Sequence, residues 1–426
     1  MLLAQSCAAA YRSRIVISCC SHRLSFDEAN PIVNVVLHRR DRRWIRCAVL
    51  GCLAIFAFAL GCQTRKTSSE VLKEAEAAFK RGKFRETRQL CEQVLSREPN
   101  STPALILAGL SAARQQEPQA ALDLLARLPE TGDAEVSTGW HTAAEIALQL
   151  GRATDAETYL RRALNIDPER LPSNVQMAYL LGFEGRCWEA IPYLMTSVRH
   201  RDFTFHHLVL LGATEPVIAD ADLMARCLSV PGQVLPLIAQ ARTALQQNHP
   251  ADAETLLRTV IAAAPDSIEA HASLGRVLIA SRPEAIPEWQ AALPKLADVH
   301  PDIWSVRGEW AELNGQTRPA IRCFWEAVRR NPNHRSANFH LGQLLTATNE
   351  PASARPFVER ADQLRDLVHL VDRLYLDTDK SATFHRAAEL TESLGRLWEA
   401  WAWSRIALDQ GTEREWAMAN LQRLQI

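Results

Sequence analysis

Two histidine–glutamate pairs have the types and spacing that chemistry would need: His141 with Glu145, and His385 with Glu389. Each pair is four residues apart, so on a helix both side chains share a face and could hold a proton or a metal ion between them. The commoner outcome of that spacing is a plain contact on a solvated helix face, and that is the expectation here. His206 and His207 adjoin an apolar run, but successive helical residues point in different directions, which suits local packing better than ligation. No GxSxG, HExxH, GxxxxGK[ST] or strand-linked GxGxxG motif occurs. Of the 10 cysteines, Cys7, Cys19, Cys20, Cys47, Cys52 and Cys62 lie at or before residue 62. Cys91, Cys187, Cys227 and Cys323 are far apart with no CxxC spacing, so neither a zinc site nor a disulfide framework is indicated. The expectation is a chain with no catalytic, cofactor or metal site.

The elements that would carry these residues are clearest between Pro301 and Pro332. Trp304, Gly308, Gly315, Ala320, Phe324, Ala327 and Pro332 follow one another with the same spacings as Trp140, Ala144, Gly151, Ala156, Leu160, Ala163 and Pro168. Small residues such as Gly308 and Ala320 let two helices approach closely, while Trp304 and Phe324 supply apolar surface. Gly315 ends the first helix and Pro332 cannot continue the second. One such hairpin cannot bury its apolar face alone, so neighbours must stack.

This skeleton resembles the tetratricopeptide (TPR) pattern, a helix–turn–helix repeat of about 34 residues. The resemblance implies an all-α fold, a right-handed α-solenoid of TPR-like helix-turn-helix repeats. It also implies a non-catalytic scaffold or adaptor that binds a partner protein or peptide along an open concave groove; an architectural subunit without peptide-groove binding is the alternative. The family's groove-facing places hold His141, Glu145, Tyr179, Arg242, Arg276, Glu309, Glu312, Phe339, Gln343, His385 and Glu389 here. The Lys/Asn set with which some TPR proteins clamp a C-terminal carboxylate is absent, and the C-terminal part of the groove reads as acidic. Trp398, Trp401 and Trp403 are expected to pack in the core and cap.

Composition agrees with helices. Apolar residues make up 47% of the chain, with only 17 Gly and 5 Tyr, and alternating β-branched runs are scarce. The net charge is −1 over the chain, and because residues 1–62 hold 8 Lys/Arg against 3 Asp/Glu, the remainder carries 40 basic and 46 acidic residues; a mildly acidic array argues against phosphate-dominated nucleic-acid binding. The repeats are expected over 70–202, four units, and again over 234–368. Between them, 203–233 lacks the turn glycine and small-residue pair and reads as a degenerate helical pair that bends or interrupts the solenoid. A spacer at 369–380, a final repeat at 381–414 and a capping helix at 415–426 complete the expectation.

Residues 1–37 carry no assignable pattern. Within 38–62, the arginines Arg39, Arg40, Arg42, Arg43 and Arg46 precede the apolar segment Cys47 to Leu60, which suits a signal-peptide core and is short for a membrane span. Ala59-Leu60-Gly61-Cys62 resembles a bacterial lipobox, though Leu is usual where Ala59 stands and a smaller residue where Leu60 stands. That resemblance implies an exported lipoprotein, lipidated at Cys62 and held to the envelope membrane through a polar tether at 63–69, with an uncleaved inner-membrane anchor as the alternative. A weaker resemblance of Leu208 to Leu245 to the irregular middle of some exported bacterial TPR regions implies an FG-GAP/ASPIC-type propeller protein as a partner.

Overall fold

The computed structural model describes residues 66–212, 218, 220–374 and 381–425. The lipobox-like segment with Cys62, residues 63–65 of the tether and residues 375–380 of the spacer lie outside the described residues. Among the described residues there are twenty-one α-helices, two short 3-10 turns and no strand.

Nine antiparallel hairpins run in order. They are α1 (Ser68–Lys80) with α2 (Phe84–Leu95), α3 (Thr102–Arg114) with α4 (Pro118–Leu125), α5 (Ala134–Gln149) with α6 (Ala153–Ile166), and α7 (Leu171–Phe183) with α8 (Cys187–Arg199). The irregular pair α9 (Phe205–Gly212) and α10 (Ala221–Ser229) follows. Then come α11 (Leu237–Gln246) with α12 (Pro250–Ala263), α13 (Ile268–Ser281) with the six-residue α14 (Ile286–Ala291), and α15 (Pro301–Leu313) with α16 (Thr317–Arg330). The last hairpins are α17 (Arg335–Ala347) with α18 (Pro351–Arg373) and α19 (Ser381–Ser393) with α20 (Leu397–Asp409), and α21 (Arg414–Leu424) closes the chain. The prolines Pro283, Pro287 and Pro294 shorten the second helix of the sixth hairpin to α14. In the next-to-last hairpin, α18 runs on past the expected repeat boundary at 368 to Arg373.

Each hairpin is set by a small residue facing a large one. At Gly308 a Cβ would stand 2.7 Å from the Phe324 ring, at Gly109 2.6 Å from Leu125 and at Gly342 2.7 Å from Val358. Helix axes therefore come closer at these points than any side chain allows, and Phe324 is wholly buried there, worth about 2 kcal/mol of transfer free energy. The turn that follows needs left-handed backbone. Gly315 supplies it at φ +69°, and where the sequence has no glycine the same place is filled by Gln116, Asn248 and Asn349 at φ 62–65°. The hairpin continues without its turn glycine because the left-handed cost is small against the packing it permits.

Between hairpins three and four the joint is electrostatic. Arg186 is buried and donates to Glu157 (2.7 and 2.9 Å), Glu184 (2.7 Å) and Glu189 (2.7 and 3.0 Å). Burial pushes the Glu184 carboxyl up to about 7, with Glu157 and Glu189 adding to the push against Arg186. At the C-terminal end, Asn420 of α21 donates to Ser404 of α20 at 2.8 Å, and α21 covers the last hairpin with Ala417.

The expected open groove is closed over in its second half. The apolar core of hairpins two to four continues through Leu208, Val209 and Leu211 of α9 directly into Leu367, Val371, Phe384 and Trp403 of the last two hairpins. It bypasses the separate cores of α11–α15 and α15–α18. The irregular pair is thus where the curved array meets its own end. Overpacking the tightest hairpin tests the frame: Gly308→Leu is expected to destabilise the chain by about 1–3 kcal/mol, read as a fall in Tm, and an unchanged Tm would mean the helices do not meet there.

A cavity inside the closed turn

Inside the turn lies a cavity of about 1360 Å³, open to solvent on one side and bordered by α8, α9, α11, α13, α15, α18 and α20. One wall is apolar: Trp188, Ile191 and Met195 of α8, Leu210 of α9, and Leu364, Leu367 and Val368 of α18. The facing wall is a run of charged and polar side chains, each supplied by successive hairpins.

That run repeats a single arrangement. Arg242 pairs with Glu269, and Glu269 accepts from Nε2 of His300 at 3.1 Å. One repeat later Arg276 lies 3.7 Å from Asp302, and Asp302 accepts from Nε2 of His334 at 2.6 Å. Both histidines also cap the helix that follows. Nδ1 of His300 accepts the Asp302 amide at 3.2 Å, and Nδ1 of His334 accepts the Ala337 amide at 3.1 Å. In the neutral ring the nitrogen that accepts an amide hydrogen carries no proton, so the proton sits on Nε2 and points at the carboxylate. The chain of contacts then runs unbroken from Arg242 to Ala337. In the next hairpin Glu309 takes the arginine's place and accepts from Ser305 (3.1 Å) and Ser336 (3.4 Å).

Charge within this wall is held by pairing. Burial pushes Glu269 up, but His300 and Arg242 outweigh it and hold its carboxyl below the usual range. Burial alone would depress His300, and the Glu269 carboxylate beside it reverses that and holds the imidazole above its ordinary value. Asp302, buried yet facing His334, Arg276 and His300, is held well below the carboxylate range.

The predicted groove residues divide sharply. Arg242, Arg276 and Glu309 line the cavity. Tyr179 does not: its hydroxyl donates to Asp220 at 2.6 Å, and Asp220 in turn caps α10 through the Leu223 amide. His141 is buried against Ser173 (3.3 Å), with Glu145 at 3.7 Å, and burial pushes its imidazole down to about 4. Glu312 accepts from His340 at 2.9 Å. Phe339 is half exposed and Gln343 exposed, both away from the cavity. His385 contacts Glu413 (2.5 Å) and Glu389 (3.5 Å) and stacks on Trp416 at 3.8 Å, so the second His–Glu pair fastens the capping helix. Trp401 and Trp403 are buried, whereas Trp398 lines the cavity. Among the described residues no group of three or more His, Cys, Asp and Glu could hold a metal ion, and no helix is long and apolar enough to cross a membrane.

Sequence reasoning missed His300 and His334, the α8 and α18 apolar wall, and the closing residues of α9. The histidines left a signal: Arg242 and Arg276, Glu269 and Asp302, and His300 and His334 each recur one repeat apart. A raised histidine stabilises the fold fully below its unfolded value of about 6.5 and loses that contribution as pH rises through the folded value. His300→Asn retains a side-chain acceptor at the cap. The wild-type advantage in urea midpoint over this variant is therefore expected to shrink as pH rises above about 6.5, and a constant difference would remove His300 from the charged wall.

Two tetratricopeptide repeat family models match the chain, one over residues 72–135, 238–305 and 313–366 and the other over 137–170. No curated protein matches it in sequence. Among solved structures, the chain is similar to the crystal structure of the APC/C hetero-tetramer Cut9-Hcn1, at 15% identity and a TM-score of 0.33, covering 91% of this chain and 83% of that one. The P58(IPK) TPR domain aligns at 12% identity and a TM-score of 0.26, over 84% of this chain and 97% of that one. A tetratricopeptide repeat protein from Parabacteroides merdae aligns at 12% identity and 0.25, over 65% and 98%. Because the matched repeats together take in more than half of the sequence, the chain belongs to the tetratricopeptide repeat family.

Proposed function

We propose that this chain is a non-catalytic protein-interaction scaffold whose partner docks in the cavity inside the closed turn. The observation that carries the reading is the cavity's two-sided wall. A protein segment with one apolar and one polar face would bury the first against Trp188, Ile191 and Val368 and set the second along the Arg242–His334 run. Because Glu269 and Asp302 are already paired with Arg and His, and Glu309 alone is held by serines, the polar wall offers hydrogen bonds more than net charge. A basic segment is therefore less strongly favoured than the sequence suggests.

One observation favours an architectural role instead. Trp325 is 47% exposed, packs edge-on against Phe357 with ring centroids 4.9 Å apart, and adjoins the 41%-exposed Val358 on the neighbouring helix. Such an aromatic pair on outward-facing second helices could anchor a fixed assembly contact. The two readings separate by variant: Ile191→Trp fills the cavity, while Trp325→Ala trims the outer face. Loss of co-purifying protein from membrane extracts at least tenfold, about 1.4 kcal/mol, with Ile191→Trp and not with Trp325→Ala is expected. The reverse result would move the function to the outer face.

The proposal extends to location. The arginine run, apolar segment and Cys62 support an exported lipoprotein that searches for its partner from a membrane tether, with an FG-GAP/ASPIC-type propeller protein as one partner to look for. Cys62→Ser is expected to shift the protein from the membrane fraction to the soluble fraction; a variant that stays with the membrane would point to an uncleaved anchor.

A further inference from the structure

We infer that the segment seated in the cavity is acidic on its polar face: glutamate or aspartate side chains reach Arg199 and Arg335 while its apolar face lies on α8 and α18. The inference rests on the docking reading above and names the chemistry of the partner.

Four donor side chains line the cavity without making a hydrogen bond or ion pair among the described residues: Trp188 and Arg199 of α8, Arg335 of α17 and Trp398 of α20. An indole N–H and a guanidinium can only donate, so none of the four can satisfy another. The other arginines on the lining are engaged: Arg242 with Glu269, Arg276 near Asp302, Arg330 with Glu326 and Arg396 with Glu399.

Acceptors are scarcer. Glu269 and Asp302 each face an arginine and a histidine, and Glu269 favours the charged form of His300. That stretch of wall therefore holds more cations than anions. Glu309 accepts from Ser305 and Ser336 through Oε1, and Asp372 stands at the exposed end of α18. The other glutamates that made the groove read as acidic lie outside the cavity. Glu145 is beside His141, Glu312 holds His340 and Glu389 lies near His385. A basic segment would bring further donors to a lining already short of acceptors. An acidic one supplies two oxygens per carboxylate, in the planar form that a guanidinium binds with paired hydrogen bonds.

Two short fluorescein-labelled peptides test this on the full chain, one alternating leucine with glutamate and one alternating leucine with lysine. In an extended segment, alternation places the leucines on one face and the charges on the other. The Leu–Glu peptide is expected to bind, read by fluorescence anisotropy, and Ile191→Trp to weaken it at least about tenfold by filling the cavity. Arg199→Glu with Arg335→Glu is expected to weaken it by a similar factor at an unchanged Tm, because neither side chain is tied into the fold. Glu309→Gln removes a like charge and is expected to leave binding as tight or tighter. An acidic partner is overturned if the Leu–Glu peptide ignores the double reversal, if neither peptide binds, or if the Leu–Lys peptide is the one that Ile191→Trp displaces. That last result would keep docking in the cavity, with a basic partner. Peptide binding indifferent to Ile191→Trp would instead move docking out of the cavity, and with neither peptide bound the co-purification above still decides docking.

Discussion

How closely two helices can lie is the constraint from which the rest of this chain follows. Gly308 against Phe324, Gly109 against Leu125 and Gly342 against Val358 each remove a side chain so that a larger one can take its place. Interiors pack at near-crystalline density, so these pairs fix the angle of each hairpin and, through stacking, the curvature of the array. Curvature shapes the concave face. An array that bends this much brings its eighth and ninth hairpins back against α8 and α9, and the concave face becomes the inside of a cavity.

The inner wall shows how such a face can carry charge without repelling itself. In each of two successive repeats an arginine, a carboxylate and a helix-capping histidine form one unit, and the units share Asp302 through its amide on one side and its carboxylate on the other. Buried ion pairs return little net stability when both partners leave water. Their value here is positional: each imidazole is held in one tautomer by the amide it caps, so the wall presents a fixed pattern to whatever enters. The Arg186 cluster between hairpins three and four works similarly, joining two repeats through one guanidinium and three carboxylates.

Much of the fold was legible from single residues. The shared spacing of Trp304–Pro332 and Trp140–Pro168 located the best hairpins, and the three prolines after Arg282 foretold the short α14. The closure was not legible, for a physical reason. Seam contacts join residues such as Leu211 and Arg396 that no period relates, and the family pattern describes only contacts between neighbours. The stretches outside the matched family residues, 171–237 and 367–426, contain α8, α9 and α20, which meet at the seam. Local pattern likewise placed Tyr179 and His141 in the groove because of their register, although Asp220 and Ser173, from other elements, had already engaged them.

Whether the array closes on itself in solution is therefore the central question, and a distance across the seam answers it. Spin labels at the exposed residues His206 of α9 and Arg405 of α20, in a background with the reactive cysteines replaced, would report it by pulsed electron resonance. A dominant, narrow, short distance is the result the closed turn requires. A broad distribution centred at long distance would mean that the repeats form an open spiral and that the cavity is absent.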